Sequence, residues 1–261
     1  MKSREMGGRV AAFFDLDGTL IARPSLERLF FSELRRRRAI PMTSYLSWLA
    51  RAVRLAPRGI QMMTYANKMY LRGVSVRDAQ EGRERQRQPE MAVPRFLPEG
   101  VDQVAWHAQQ GHAVVMVSGT LAPLAQEMAL ALVVRLAVRG IAASVAVCAT
   151  RLEEKDGLWT GRIVGDAMFG EAKGRAVRRM AVEKGFKLPE CYAYGDSAVD
   201  RWMLETVGRP VAVNPSWHLE TLARRKRWPV LTWTEGKKPK RSSSSLQGEQ
   251  RNVEEVWENV G

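Results

Sequence analysis

Cysteine is almost missing from this chain: Cys148 and Cys191 are the only two in 261 residues. They are too few and too far apart for a metal cluster, and they suit a reduced, intracellular setting. An unbroken apolar run of membrane length is also lacking. The most apolar window, Ala113 to Val134, holds one charge, Glu127, and is interrupted by "SGT" and by Pro123. It reads as a buried strand, a turn and a buried helix rather than a span. The N-terminal "MKSREMGGRVAAFFD" is basic, but Asp15 cuts its apolar stretch short, which makes a poor signal peptide. These absences set the expectation of a cytoplasmic protein. No internal repeat is evident. Acidic charge is the last shortage, with 28 Asp+Glu against 41 Lys+Arg and a net charge of +13. Most of the excess lies in residues 22–98, which hold 16 basic and 6 acidic side chains. Such a segment attracts anionic substrate, lipid or nucleic acid, or is simply a solvated basic helical face.

What is present is the composition of a soluble globular protein, 45% hydrophobic and 26% charged. The length suffices for one large domain or two smaller ones. In "VAAFFDLDGTLIARP", Val10 to Phe14 is an uncharged run that reads as a short buried strand. It ends in Asp15 and Asp17, and alternate residues of a strand share a face, so the two carboxylates crowd together. Like charges that close disfavour ionisation unless a cation or hydrogen bonds compensate. Gly18 lets the backbone turn away; a solvated strand end with an Asp-Gly turn is the plainer reading.

Residues 25–88 then read as helices. "SLERLFFSELRRRR" spaces Leu26, Leu29, Phe30 and Leu34 helically behind Ser25 as N-cap. "TSYLSWLARAVRL" follows and stops at Pro57, "IQMMTYANKMYL" ends at Gly73, and Ser75 with Asp78 resembles a capping box. From residue 99 helices and strands alternate: a helix closing at Gly111, the strand "HAVVMVSGT", an apolar helix, and the strand "IAASVAVCAT". An Asp-Gly hairpin comes next, then the helix "GEAKGRAVRRMAVEKGF" and the strands "CYAYGDS", "PVAVNP" and "WPVLTW". This order implies an α/β fold with a mainly parallel sheet, helices on both faces and ligands at the carboxyl ends of the strands. The polar, Ser-rich residues 235–261 read as a disordered tail with a short C-terminal helix, "QRNVEEVWENV".

Three strand ends therefore share one edge, and they deliver Asp15 with Asp17, Ser118 with Gly119, and Asp196 with Asp200. Lys173 joins them from a helix beginning near Gly170. Several carboxylates at one edge require a cation, and an oxygen-rich site suits Mg²⁺. A lysine and a serine beside them suit a phosphoryl group. In this order "DLDGTL", "VMVSGT", Lys173 in "GEAKGRAV" and "GDSAVD" resemble the four motifs of the haloacid dehalogenase superfamily, over about residues 10–234. The helical insert is similar to the cap of its phosphoserine-phosphatase-like subgroup. The resemblance implies a Rossmann-like core over residues 1–21 and 96–234, with a small all-helical cap over 22–95 inserted after the first strand. It also implies a Mg²⁺-dependent phosphatase in which Asp15 is the nucleophile and Asp17 the acid and base. Asp15, Asp196 and the backbone carbonyl of Asp17 would ligate the metal, with Asp200 beside it. Ser118, the Gly119 N–H and Lys173 would hold the phosphate. Dehalogenases of the family lack the second aspartate, so Asp17 argues against dehalogenation. Phosphonate cleavage would need a cap lysine; Lys68 lies in the cap, with nothing else to support that chemistry.

One departure bears on substrate. Phosphoserine phosphatases of the family carry a glutamate nine residues after the nucleophile, where this chain has Pro24, with Glu27 one turn on. A basic cap rich in Met, Trp and Tyr suits an anionic phosphate ester with an apolar part, such as a lipid phosphate, and peripheral membrane contact. Phosphoserine and phosphoryl transfer to another acceptor stay open as alternatives. So does a non-catalytic basic module on nucleic acid or membrane, motivated by the cap charge and "KKPKR". The retained aspartate pair argues against such a pure binder, and nucleic acid is not expected as a partner.

Overall fold

A computed structural model of the chain describes residues 9–77 and 95–234. The Asp78 half of the capping box and the whole C-terminal tail, with its expected helix, lie outside the described residues. Among those described, seven strands form one sheet in the order β4-β3-β2-β1-β5-β6-β7. The strands are β1 (Ala11–Phe14), β2 (Ala113–Leu121), β3 (Val145–Lys155), β4 (Leu158–Val164), β5 (Tyr192–Gly195), β6 (Arg209–Val213) and β7 (Val230–Leu231). Every neighbouring pair is parallel except β3 with β4. That antiparallel pair is the expected hairpin, and both turn residues, Asp156 and Gly157, take positive φ angles of 53° and 75°. This is the two-residue turn whose twist matches the flanking strands.

The central strands β1, β2 and β5 carry no charge because both of their faces are buried. Ala12 and Phe14 of β1, Met116 of β2, Tyr192 and Tyr194 of β5 and Val211 of β6 enter one core cluster. Their alternate neighbours Ala11, Phe13, Val115, Ala193 and Ala212 enter a second cluster on the other face. A period of two split between two cores is what helices on both faces demand. Between the strands lie α4 (Pro98–Gln109), α5 (Ala122–Val138), α6 (Glu171–Lys184), the single turn α7 (Arg201–Leu204) and α8 (Trp217–Lys226), preceded by three helices in the insert that follows β1. No helix among the described residues is long and apolar enough to cross a membrane.

The insert after β1 comprises α1 (Leu26–Arg36), α2 (Met42–Leu55), α3 (Ile60–Tyr65) and a 3₁₀ turn, Met69–Leu71. Ser25 caps α1, its hydroxyl accepting from the Arg28 N–H. The helix expected to run from Ile60 to Leu71 stops at Tyr65, because Asn67 competes for the backbone. Its Oδ1 accepts from the Met69 N–H, and its Nδ2 donates to the Trp48 carbonyl 2.9 Å away. The insert is fastened to the β3–β4 hairpin by backbone bonds from Gly73 to Trp159, Trp159 to Val74 and Val76 to Gly157, at 2.8 to 3.0 Å. Leu26, Phe30 and Leu34 pack into the same cluster as Trp159, so the helices rest on the core at the carboxyl edge of the sheet.

Candidate active site

β1 ends at Phe14, one residue before the first aspartate. Asp15 lies just beyond it, 5% exposed, its N–H bonded to the Tyr194 carbonyl of β5. The chain then turns tightly, with Gly18 at a φ of 91°. A Cβ at Gly18 would stand 2.3 Å from Asp196 Oδ2, so only glycine lets this turn approach the neighbouring strand end. The turn separates the two aspartates that strand alternation was expected to crowd together. Asp17 directs Oδ1 to the N–H of Leu26, 2.6 Å away at the start of α1. The carboxylates that crowd Asp15 are Asp196 and Asp200, and one oxygen from each of the three lies within 4.8 Å of the others.

Lys173 compensates part of that charge. It sits in the first turn of α6, 2% exposed, its Nζ 2.5 Å from Asp15 Oδ1 and 2.6 Å from Asp200 Oδ1. Burial pulls its ammonium down, but the two carboxylates outweigh that and hold its pKa above the ordinary lysine value. Asp200 also accepts from the Ser197 N–H and hydroxyl, at 3.0 and 2.7 Å, in a capping box that opens the turn after β5. Arg23 reaches Asp196 from the other side, Nη2 to Oδ2 at 2.6 Å. Thr19 donates to Asp15 Oδ2 at 3.3 Å.

Negative charge remains in excess. Burial, then the Asp200 and Asp196 charges, push the Asp15 carboxyl well above its usual range despite Lys173. Burial and the Asp200 charge raise Asp196 to about 6, and burial raises Asp17 to about 6 against the bond from Leu26. Three buried carboxylates under-served by one lysine and one solvent-facing arginine form an all-oxygen donor set that fits a hard divalent cation.

At the end of β2, Ser118 is fully buried and its Oγ accepts from the Thr120 N–H at 3.2 Å. The Gly119 carbonyl is held by the Thr150 hydroxyl of β3 at 2.9 Å. Tyr65 at the end of α3 comes close above Gly119, 3.8 Å from where a Cβ would be, and stacks on Phe169 at 5.1 Å. Strand ends β1, β2 and β5 and the first turn of α6 thus bring Asp15, Ser118, Gly119, Lys173, Asp196 and Asp200 to one edge, with Asp17 in the turn beside them. Sequence reasoning missed Arg23, Thr19 and Tyr65. Thr19 stands inside the quoted "DLDGTL" and was visible as a hydroxyl next to the pair; nothing local marks Arg23 or Tyr65, which arrive by the fold.

A family model described as haloacid dehalogenase-like hydrolase matches residues 12–205. A probable phosphatase of Mycobacterium tuberculosis is 32% identical over 232 residues, 87% of this chain and 76% of the relative. A protein of unknown function from Bordetella pertussis Tohama I has a crystal structure similar to this one at a TM-score of 0.62. It is 28% identical, over 86% of this chain and 98% of that one. A phosphoserine phosphatase with an analogue of its phospho-aspartyl intermediate shares the fold, at a TM-score of 0.55 and 17% identity over 86% of this chain and 93% of that one.

Proposed function

The chain belongs to the haloacid dehalogenase-like hydrolase family as a phosphatase, and we propose that it cleaves phosphomonoesters with Mg²⁺ through an aspartyl-phosphate on Asp15. One observation carries this reading: the buried Lys173 ammonium bridges Asp15 and Asp200 beside Asp196, while Asp17 stands apart on the Leu26 N–H. That arrangement separates an attacking carboxylate from a proton carrier. Asp15 attacks phosphorus, the ester P–O bond breaks, and the leaving oxygen takes its proton from Asp17. Water, deprotonated by Asp17, then attacks the phosphorus of the acyl-phosphate. Inorganic phosphate leaves and the Asp15 carboxylate is restored. An acid raised to about 6 by burial holds and releases a proton close to neutral pH. The Ser118 hydroxyl and Gly119 N–H hold phosphate oxygens, and Lys173 balances the charge that develops on them. The side chains of Asp15 and Asp196 and the carbonyl of Asp17, with Asp200 beside them, would hold the cation, which when bound neutralises phosphate charge.

Residues 22–95 act in this reading as a cap over the core of 1–21 and 96–234, choosing the leaving group and excluding water. The substrate is a small anionic phosphate ester or a lipid phosphate rather than phosphoserine. Two features support that preference. Pro24 stands where a carboxylate for a substrate ammonium would be expected. Glu27 is already engaged, both of its oxygens 2.6 Å from the buried Lys68 Nζ and one of them 2.5 Å from the Tyr70 hydroxyl. The test is phosphate release from a panel of phosphate esters with and without Mg²⁺, for wild type and Asp15→Asn. Mg²⁺-dependent release that falls at least a thousandfold in Asp15→Asn is expected. Release at an equal rate by the variant would end the mechanism, and no release from any ester would end the assignment.

A further inference from the structure

Lys68 belongs to none of the four motifs, yet it is only 2% exposed. Its Nζ donates to both oxygens of Glu27 at 2.6 Å, and the Tyr70 hydroxyl donates to Glu27 Oε1 at 2.5 Å. Both donors are fixed from outside α1. Asn67 anchors the chain just before Lys68, through the Trp48 carbonyl of α2 and the Met69 N–H. The same stretch presses on β4, where a Cβ at Gly161 would stand 2.9 Å from the Met69 Cα and 3.2 Å from the Lys68 carbonyl oxygen. Tyr70 also packs edge-on against Phe31 at 5.1 Å, one turn along α1 from Glu27.

Stability alone does not account for this pair. A buried lysine and carboxylate gain little over apolar residues of the same volume, because both ions give up water. What directional, charge-assisted bonds add is position. The apolar contacts of Leu26 and Phe30 with the core tolerate a small slide of α1, whereas bonds of 2.5 to 2.6 Å do not. Glu27 directly follows Leu26, whose N–H donates to Asp17 Oδ1 at 2.6 Å. That N–H stands in the first turn of α1, where the helix itself offers no acceptor. The other side-chain bond in this turn, from the Arg28 N–H to Ser25, is longer at 3.4 Å. Among the described residues Asp17 Oδ2 has no hydrogen-bond partner, so the bond from Leu26 sets how this carboxyl group points.

We propose that Lys68, Glu27 and Tyr70 form a positioning unit for the general acid: they fix the first turn of α1, the Leu26 N–H fixes Asp17 Oδ1, and Oδ2 is left to protonate the leaving oxygen. The proposal rests on the phosphatase reading. Lys68 acts through its ion pair without touching substrate, and its ammonium is engaged by Glu27 instead of standing free for phosphonate chemistry. A placed general acid contributes roughly 10²–10⁴-fold to rate, and a misplacement of about 1 Å costs on the order of 10²-fold. The loss falls on esters whose leaving oxygen needs a proton and spares those whose leaving group departs as a stable anion.

The test compares kcat/KM for phenyl phosphate and para-nitrophenyl phosphate, since kcat/KM covers the steps up to release of the leaving group. Para-nitrophenolate departs without a proton, whereas the more basic phenolate depends on one. Glu27→Gln should lower kcat/KM at least tenfold for phenyl phosphate and less than threefold for the nitrophenyl ester. Tyr70→Phe keeps both charges and should move in the same direction by a smaller factor. Glu27→Gln/Lys68→Met leaves no buried ion unpaired, so it should keep the melting temperature and show the same selective loss. Equal losses on both esters would mean that the three residues only stabilise the insert, and would overturn the proposal. So would full activity of the double variant on phenyl phosphate. A wild type that cleaves the nitrophenyl ester alone has no working acid, which overturns the proposal and leaves the phosphatase reading standing. No phosphate release from any ester overturns both.

Discussion

Lys173 Nζ lies 2.5 Å from Asp15 Oδ1 across 158 positions of sequence, and both groups are buried. The contact ties the end of β1 to the first turn of α6, and a second bond carries it on to Asp200. Gly174 lets α6 pack closely on α7, the turn that follows Asp200, since a Cβ there would lie 2.8 Å from the Trp202 carbonyl oxygen. Removing one member of a buried ionic set leaves the others uncompensated, at a cost of about 3–5 kcal/mol. Lys173→Met is therefore expected to lower unfolding free energy in urea by about that amount and to abolish phosphate release. An unchanged denaturation midpoint would mean that the carboxylates carry less charge than the geometry implies.

In the proposed metal site, Arg23 and a divalent cation would compete for Asp196. The guanidinium lies 2.6 Å from Asp196 Oδ2, although its own side chain is 70% accessible. Arg23→Gln frees that oxygen, so calorimetric titration of the substrate-free protein should show Mg²⁺ binding about three- to tenfold tighter than wild type. Asp196→Asn removes a charged ligand and should weaken the same binding by at least tenfold. Exhaustive dialysis against EDTA should stop hydrolysis, and added Mg²⁺ should restore it. Weaker Mg²⁺ binding by Arg23→Gln would show that Arg23 supports the cation site instead of occupying part of it.

The sheet was legible because its physics is local. Val10 to Phe14 reads as a strand since burial on both faces leaves no polar position, and Asp156-Gly157 reads as a hairpin since few residues accept positive φ. The four motif elements were legible because a parallel sheet brings its strand ends to one edge. The fine geometry was not. Strand alternation paired Asp15 with Asp17, whereas the turn at Gly18 sends Asp17 to Leu26 and leaves Asp15 among carboxylates that arrive from β5 and its loop. Periodicity extended α3 to Leu71, but the Asn67 side chain diverts the backbone there. "IAAS" reads as the start of a strand, yet β3 begins at Val145, where it meets Val114 of β2. Each miss depends on a partner distant in sequence or on a side chain that competes with the backbone.

Gly195 closes the last residue of β5 against Asp200. A Cβ at position 195 would fall 2.6 Å from the Asp200 Cβ, and the helical turn that carries Asp200 is fixed by the Ser197 capping box. Gly195→Ala should therefore push Asp200 off Lys173, cost about 1–3 kcal/mol by overpacking, and reduce kcat more than KM. Gly157→Ala provides the contrast. Its positive φ of 75° carries strain, but no atom stands within 4 Å of a new Cβ, so stability falls while kcat is retained. Equal kcat losses in both variants would detach the Gly195 effect from Asp200.

His107 gives the fold an acid sensitivity separate from the chemistry. It is fully buried on α4, with Nε2 2.8 Å from the Tyr194 hydroxyl and Nδ1 2.9 Å from His112 Nδ1. Phe14 and Trp106 pack edge-on against its ring. Burial, and then the neighbouring His112, hold its pKa well below the ordinary 6.5. The unfolded chain therefore binds a proton that the folded chain refuses. The resulting stability is present above about pH 6.5 and is lost as pH falls below it, at up to about 1.4 kcal/mol per pH unit. Asp17 and Asp196, raised to about 6, act in the opposite sense and gain stability on acidification. Both are common to wild type and His107→Gln, so the difference between the two proteins isolates the histidine. His107→Gln should be less stable at pH 8, having lost a buried ring and its bonds. The gap should narrow by at least 1 kcal/mol between pH 7 and pH 5 in urea titrations. A constant gap across that interval would mean that the His107 proton is not excluded by the fold.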